Sequence, residues 1–335
     1  MVQRAEYICL ENTTNVPGFI LLGFQILPEL KPFLFVIFLL IYLLTVVGNI
    51  LILVTVSANN NLHSPMYFFL GNLSFLEIWY TTNIVHTMLG GFLSGSITLS
   101  LAGCVIQLNI FGSLAITECF LLTLMAYGRY MAICYPLHYS TLMSQRVCVI
   151  LVQCTWASGF LIAMITSILI YQLQFPARNW IDHFFCDNMP LLKSACSDIY
   201  LAEMYCIVVS FTVTPIPFLL IIVSYMYIIV AIMRIPSATG RQKAFSTCSS
   251  HLLVVAMYFG TLIALYVAPS TGHSMNINKA LSLLYTVATP MLNPIIYTLR
   301  NKDIRGALKI TFQIICSRHR DSPTQLVFCH RKTTF

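Results

Sequence analysis

The stretch LSLAGCVIQLNIFGSLAITECFLLTLMAYGRYM, from Leu99 to Met131, is apolar over most of its length and carries Arg129 near its end. It exceeds the roughly 20 residues that cross a bilayer core as a helix. Six other runs of this kind are Pro32–Ser57, Met66–Met88, Val147–Ile170, Tyr200–Met233, Lys243–Tyr266 and Lys279–Leu299. Because lipid leaves unpaired backbone groups without water, and no period-two barrel pattern occurs, these runs predict seven membrane-spanning helices.

The composition is that of a membrane protein. Of the 335 residues, 58% are hydrophobic and 9% are charged, whereas roughly a quarter of a soluble domain is charged. We predict an all-α fold with one seven-transmembrane helix bundle over residues 32–299, an extracellular segment 1–31 and a cytoplasmic segment 300–335. After Leu299, basic and apolar residues alternate, which is typical of a short amphipathic helix on a membrane surface. Membrane lipid is therefore an expected partner.

The distribution of basic residues predicts the orientation. With the amino terminus outside, the cytoplasmic side holds Arg129, Arg146, Arg234, Arg241, Lys243, Arg300, Lys302, Arg305, Lys309, Arg318, Arg320, Arg331 and Lys332. This excess follows the positive-inside rule. It argues against nucleic acid as a partner, because these residues lie in short loops and a tail beside anionic lipid. Asn12, followed by Thr13 and Thr14, is then an outer-side glycosylation candidate.

Four motifs carry a resemblance to a known family. They are MAYGRYMAICYPLHY at Met125–Tyr139, IDHFFCDNMPLLKSACSD at Ile181–Asp198, KAFSTCSSHL at Lys243–Leu252 and PMLNPIIYTLRN at Pro290–Asn301. The chain resembles odorant receptors, a branch of the rhodopsin-like G-protein-coupled receptors. The resemblance implies a plasma-membrane receptor that binds small volatile odorants within its bundle. It also implies activation of a stimulatory olfactory-type G protein and a rise in cAMP.

An enzyme and a transporter are the two alternatives to a receptor. An enzyme is not expected, since the chain has no Gly-rich phosphate loop, no HExxH motif and no paired carboxylates beside a nucleophile. A transporter would be indicated by an internal repeat with matching broken spans, and none is found. No cofactor is predicted apart from a candidate sodium ion.

The resemblance assigns switch roles to polar residues within the spans. It implies that Asn49, Glu77 and Asn293 form a hydrated cluster that binds sodium and repacks on activation, with static interhelical hydrogen bonding as the alternative. Residues implied in G-protein coupling or switching are Arg129, Tyr130, Tyr225, Asn293, Pro294 and Tyr297. Proline lacks a backbone donor, so we expect the seventh helix to kink or loosen at Pro294.

Gly128 departs from the family pattern, which has Asp at this position. Arg129 then lacks the adjacent carboxylate that would hold it in the resting state, and an interior glycine weakens a helix by about 1 kcal/mol relative to alanine. We expect raised basal signalling, lower surface expression, or both.

The ligand site is predicted from helical phase. Phe111, Gly112, Ala115 and Ile116 lie on one face of the third span, and by resemblance that face looks into the bundle. Residues expected to close the same space are Val209, Ser210, Val213, Phe259, Leu262 and Tyr266. Such a cavity would be apolar with a few hydroxyls, although plain core packing is an equal alternative for each residue. The family reads Phe-Tyr-Gly where this chain has Tyr258, Phe259 and Gly260, so we expect a bias toward less polar odorants.

Cysteines on the outer side predict a disulfide. Cys9, Cys104, Cys186 and Cys196 lie in oxidising surroundings, and we expect Cys104 and Cys186 to pair and to pin a loop over the bundle. The family's usual partner for Cys196 is replaced by Pro176. Either Cys9 substitutes for it or the Cys196 thiol is free.

A copper site and a palmitoylation site are two further interpretations of the sequence. His183, Cys186 and Met189 offer soft ligands that would suit copper, but a disulfide and an ordinary loop histidine are the preferred interpretation, so no metal is predicted. Cys316, at the end of the predicted amphipathic helix, is a palmitoylation candidate.

Overall fold

A computed structural model describes residues 18–24, 28–59, 62–176, 179–267, 274–301 and 303–311. The glycosylation candidate Asn12, the palmitoylation candidate Cys316 and Cys9 lie outside these residues. The helices, numbered along the chain, are α1 (Lys31–Ala58), α2 (Pro65–Ser94), α3 (Leu101–Cys134), α4 (Pro136–Leu142), α5 (Gln145–Tyr171), α6 (Asn188–Ser194), α7 (Tyr200–Val213), α8 (Pro215–Met233), α9 (Ala238–Val267), α10 (Ser274–Leu283), α11 (Thr289–Arg300) and α12 (residues 303–311).

These helices form the predicted seven-span bundle. The first four spans are α1, α2, α3 and α5, the fifth is α7 with α8, the sixth is α9, and the seventh is α10 with α11. Among the described helices, six spans are long and apolar enough to cross a membrane, by length and composition alone. The exception is α2, whose 30 residues include the polar side chains of Asn72, Glu77, Asn83 and His86. Large apolar side chains such as Phe33, which is 64% exposed, cover the outer faces, as expected for a bundle surrounded by hydrocarbon.

The seventh span is irregular at a different place from the predicted one. The chain stays helical through Pro294, and the irregular turn is a π-helical segment at Leu284–Ala288, directly before α11. Proline at 294 still removes one hydrogen bond, because its nitrogen cannot donate to the carbonyl of Pro290. The Asn49 Nδ2 donates to that carbonyl at 3.5 Å instead. Gly48 lets the two helices meet, since a Cβ there would lie 3.0 Å from the Pro294 side chain.

A small three-stranded sheet lies at one end of the otherwise helical bundle. Strand β1 (Phe19–Leu21) lies in the centre, antiparallel to β2 (Ile97–Leu99) and parallel to β3 (Asn179–Ile181). Strands of three residues are too short to produce a detectable alternation in the sequence. We call this end the lid end, the residues 179–199 the lid, and the opposite end the Arg129 end.

The helix α12 lies at the Arg129 end, as predicted after the seventh span. Its Ile304 is fully buried against the bundle, whereas Arg305 and Lys309 are exposed. The Tyr67 hydroxyl donates to Asp303 at 3.2 Å, and the Asn59 amide donates to Thr311 at 3.0 Å. These two bonds fix both ends of α12 against α1 and α2.

Candidate functional site

The lid is attached to the helices beneath it by the predicted disulfide. Cys104, in the first turn of α3, is bonded to Cys186 with a Cα–Cα distance of 5.5 Å. The backbone N–H of Cys186 also donates to Gln107 Oε1 at 3.0 Å, and Gln107 Nε2 donates to Asn83 O at 3.0 Å and to Thr87 Oγ1 at 2.7 Å. Gln107 therefore links the lid, α2 and α3, a role that sequence reasoning missed.

The second lid cysteine is also in a disulfide. Cys196 is disulfide-bonded, so the free-thiol alternative is wrong, and the suggested partner Cys9 lies outside the described residues. Near Pro176, two hydrogen bonds join the segment before Pro176 to the segment that carries Cys196. Cys196 N donates to Gln174 O at 2.9 Å, and Gln174 N donates to Ser197 Oγ at 3.0 Å.

The geometry of the lid argues against the copper alternative. The Cys186 sulfur is in the disulfide, so it cannot act as a thiolate ligand. His183 is buried, and burial together with the nearby Lys279 ammonium lowers the pKa of His183 to about 3. A neutral imidazole can itself bind a metal ion, so what argues against a copper site is the engaged Cys186 sulfur and the enclosure of His183.

A buried ion pair joins the lid to the seventh span. Lys279, at 3% exposure, is bonded to the carboxylate of Asp182 and donates to the carbonyl of Gly23 at 3.0 Å. The amino-terminal segment is bonded to the lid as well, since Gly23 N donates to His183 O at 3.1 Å. Three separate parts of the chain thus meet at one ammonium group.

The predicted ligand face of α3 lies beneath the lid and is closely packed. Phe111 contacts the rings of Phe185, Tyr80 and Tyr285 at centroid distances of 4.9, 5.5 and 6.2 Å. Its neighbour Gly112 points toward α5, where a Cβ would lie 3.4 Å from Ala163. Ala115 and Ile116 continue the face, and Ile116 is 8% exposed.

The predicted ligand residues of the fifth and sixth spans differ in burial. Val213 and Phe259 are buried, whereas Val209, Ser210 and Leu262 are half-buried. The side chain of Tyr266 lies outside the described residues.

The neighbouring residue Tyr258 carries the hydroxyl that links the sixth span to α3. Its hydroxyl donates to Ala115 O at 3.0 Å and lies 3.7 Å from Cys119 Sγ. Phe259 is instead packed on Phe218 at a centroid distance of 5.4 Å. Tyr258 was missed because sequence reasoning considered only the ring expected to face the cavity.

The predicted polar cluster forms in the middle of the bundle. Asn49, Glu77 and Asn293 are each at most 1% exposed, and Asn293 Nδ2 donates to Glu77 Oε1. Within the described part of the chain, Asn49 Oδ1, Asn293 Oδ1 and both carboxylate oxygens of Glu118 have no hydrogen-bond partner. Buried oxygens of this kind suit a hard cation. The donor set therefore fits the candidate sodium ion.

Arg129 lies among polar side chains of three other helices. It is 6% exposed, and its side chain is hydrogen-bonded to Cys248 of α9. The Tyr225 hydroxyl is 2.8 Å from His251 Nδ1, which joins α8 to α9 beside it, and Tyr297 of α11 is buried. His251 is a further partner that sequence reasoning missed.

Tyr130 and Gly128 differ from Arg129 in their surroundings. Tyr130 packs outward on Tyr135 and Tyr227, at centroid distances of 5.6 and 5.9 Å. Gly128 is buried, and a Cβ there would lie 3.3 Å from Met143 Cε and 3.7 Å from Phe69 Cε2. A Cβ at 128 therefore fits if the flexible end of Met143 shifts by a few tenths of an ångström.

A lid bonded to α3 above an aromatic-lined face, with a buried arginine at the far end of the same helix, is the arrangement expected of a receptor. A sequence profile described as "Olfactory receptor" matches residues 38–315. The chain belongs to the olfactory receptor family. Olfactory receptors are multi-pass membrane proteins of the G-protein-coupled class and not enzymes.

Individual relatives cover nearly the whole length of this olfactory receptor. Human olfactory receptor 11A1 is 48% identical over 317 residues, covering 95% of this chain and 99% of the relative. Human olfactory receptor 11L1 is 48% identical over 306 residues, covering 91% and 95%. Mouse olfactory receptor 6B9 is 45% identical over 302 residues, covering 90% and 96%.

Proposed function

We propose that this receptor responds to small, mostly apolar odorants and activates a stimulatory olfactory-type G protein, which raises cAMP. The observation that carries the proposal is the position of Phe111, which contacts Phe185 of the lid and belongs to the same helix as Arg129. Eighteen residues of helix separate Phe111 from Arg129, or about 27 Å. A ligand that contacts Phe111 thus acts on the helix that carries the coupling residue.

The proposed mechanism is a shift between two populated conformations. An odorant beneath the lid favours the state in which the end of α9 beside Arg129 has moved outward. That movement separates His251 from Tyr225 and opens a space where Arg129, Tyr225 and Tyr297 contact the G protein. The ligand shifts the equilibrium only by the difference in its affinity for the two states.

We further propose that the lid end faces the outside of the plasma membrane. Disulfides form in oxidising surroundings, and both lid cysteines, Cys186 and Cys196, are disulfide-bonded. The exposed Arg305 and Lys309 of α12 suit anionic lipid of the inner leaflet. In this orientation Asn12 is available for glycosylation and Cys316 for palmitoylation.

A sodium ion is proposed at the polar cluster in the resting state. Glu77 would supply a carboxylate oxygen, and Asn49 and Asn293 would supply amide oxygens. The Glu118 carboxylate is a fourth acidic or amide group in the same buried region.

The experiment that tests the function is a cAMP assay across an odorant panel, with and without the olfactory-type stimulatory G protein. We expect a dose-dependent, G-protein-dependent rise that Arg129→Ala abolishes at equal surface amount. Ion or solute flux that needs no G protein would support a transporter instead.

Restoring the family's aspartate at position 128 is expected to lower basal signalling several-fold. The new carboxylate would pair with Arg129 and hold it in the resting state, and Met143 can yield the space. Basal cAMP per surface receptor is the measurement. Gly128→Ala and Gly128→Asn are the controls, because alanine restores only the roughly 1 kcal/mol of helix propensity and asparagine lacks the charge. Equal basal signalling in all three variants would contradict the prediction.

Phe259→Tyr is expected to widen the response toward more polar odorants. The added hydroxyl lies in an apolar surrounding beside Phe218, so it favours ligands that offer it a hydrogen-bond partner. The measurement is the ratio of EC50 values for matched alcohol and hydrocarbon odorants. Tyr258→Phe is the contrasting variant, since it removes the bond to Ala115 without changing Phe259. An unchanged ratio in Phe259→Tyr would disprove the expectation.

A further inference from the structure

A groove lies on the outer surface of the bundle between α1 and α2, at the Arg129 end. Its volume is about 270 Å³. Most of its lining is apolar, and Phe68 and Phe75 present exposed rings to the surrounding hydrocarbon. Its lining includes Leu53 and Ser57 of α1, and Phe68, Gly71, Asn72 and Phe75 of α2. We call it the α1–α2 groove. None of the residues predicted to bind odorant or sodium lines it.

The floor of the groove is a position without a side chain. A Cβ at Gly71 would lie 3.9 Å from Leu53 Cδ2, which is an ordinary van der Waals contact. The packing of α1 on α2 therefore does not require glycine at this position. At Gly159, by contrast, a Cβ would lie 2.7 Å from Ser113 O, so helix packing does require that glycine. The missing side chain of Gly71 instead leaves room between the two helices.

The groove covers the depth of one membrane leaflet. Ser57 is one residue from the end of α1, and Tyr67 donates to Asp303 of α12, the amphipathic helix at this end of the bundle. Phe75 follows Tyr67 by eight residues of α2, or about 12 Å. Half of a hydrocarbon core is about 15 Å thick. The groove thus runs from the membrane interface toward the middle of the bilayer, where only a lipid can fill it.

Two polar side chains line this lipid-facing groove. The Asn72 Nδ2 donates to Phe68 O at 2.9 Å, but an amide offers two N–H groups and a carbonyl oxygen. The Ser57 side chain is exposed at the interface end, and its hydroxyl can both donate and accept. Hydrocarbon provides no hydrogen-bond partner for either side chain. A lipid with a hydroxyl group can provide one, whereas the acyl chain of a phospholipid cannot.

We infer that the α1–α2 groove binds a membrane sterol, with its ring system against Phe68 and Phe75 and its hydroxyl group at the polar pair Ser57 and Asn72. A rigid ring system loses little conformational freedom on binding, whereas an acyl chain must be ordered bond by bond. Burial of its apolar faces against the two phenyl rings supplies the driving force, and the hydroxyl group fixes the orientation. The inference needs neither an odorant nor a G protein, so it is independent of the proposed function.

The test uses the full chain in phosphatidylcholine nanodiscs, cholesterol as the probe and the thermal unfolding midpoint as the readout. Cholesterol should raise the midpoint of the native chain by about 2 °C or more, and the rise should saturate with sterol content. Gly71→Leu fills the groove and should abolish the rise. Ser57→Ala and Asn72→Leu should each weaken sterol binding about threefold or more, because each removes a hydrogen-bond partner. The 3α-hydroxyl epimer of cholesterol should act more weakly on the native chain.

Gly260→Leu separates the groove from general effects of sterol on the bilayer. Gly260 is an exposed glycine of α9 at which a Cβ would meet nothing within 4 Å, so this variant adds the same side chain to another span and should keep the full native rise. A photoreactive sterol should label α1 and α2 of the native chain in preference to the other spans, which gives a second readout if Gly71→Leu fails to fold.

Three results would overturn the inference. The first is an equal cholesterol-induced rise in the native chain and in Gly71→Leu. The second is photoreactive labelling that is spread evenly over the spans. The third is a dimer of the native chain in sterol-free nanodiscs that Gly71→Leu converts to a monomer, because a second copy of the chain would then be the occupant of the groove.

Discussion

Cys186→Ser is expected to remove most of the folded receptor from the cell surface. The disulfide to Cys104 closes a separation of 82 residues, and losing a crosslink over a loop of this length costs about 4 kcal/mol of unfolding free energy. The lid also positions Phe185 against Phe111, so the ligand face loses its cover. Surface biotinylation relative to total receptor, together with the thermal unfolding midpoint, measures the effect.

The control for this loss is Cys206→Ser, because Cys206 is a free, half-buried cysteine of α7. Cys104→Ser should match Cys186→Ser, and the double variant should lose no more than either one, because all three remove the same bond. A surface fraction for Cys186→Ser equal to that of Cys206→Ser would refute the prediction.

The ion pair between Lys279 and Asp182 is expected to make its two single substitutions unequal. The Lys279 side chain is 4% exposed and that of Asp182 is 30% exposed. Asp182→Ala leaves a buried ammonium group whose charge is uncompensated, at a cost of about 3 kcal/mol. Lys279→Met leaves a carboxylate that water can reach, at a cost of about 1 kcal/mol.

The double variant Lys279→Met/Asp182→Ala should therefore be more stable than Asp182→Ala alone. The measurement is the thermal unfolding midpoint of the purified receptor in each variant. Lys309→Met serves as the control, because Lys309 is exposed on α12 at the opposite end. If Asp182→Ala and the double variant unfold at the same temperature, the uncompensated charge of Lys279 is not the cause of the loss, and the prediction is wrong.

Six of the spans could be predicted from a local property, the length of an apolar run, whereas α2 is interrupted by polar side chains. The polar cluster could be predicted because the family resemblance assigns switch roles to Asn49, Glu77 and Asn293, and the disulfide because Cys104 and Cys186 lie on the outer side. The position of Lys279 could not be predicted in this way. It looks like one more basic residue at the end of a span, and only the fold brings it to Asp182 and Gly23.

The predicted position of the irregular turn in the seventh span was wrong, because the effect of Pro294 depends on a residue from another span. Pro294 was expected to loosen the helix around itself. Asn49 of another span instead donates to the carbonyl that Pro294 leaves unpaired, and the irregular turn forms before Pro290. The sequence shows that proline leaves one carbonyl without its helical donor. It does not show which side chain donates to that carbonyl, because the donor depends on how α1 packs on α11.

The small sheet has a consequence for the biosynthesis of the chain. Its central strand, β1, is made first, but β2 follows the second span and β3 follows the fourth. On the ribosome, β1 has no parallel partner until residues 179–181 have been synthesised, so one of its edges stays unpaired while four spans enter the membrane. The strand β1 is thus fully paired only late in synthesis, and a chain that stops before residues 179–181 keeps one edge of β1 unpaired.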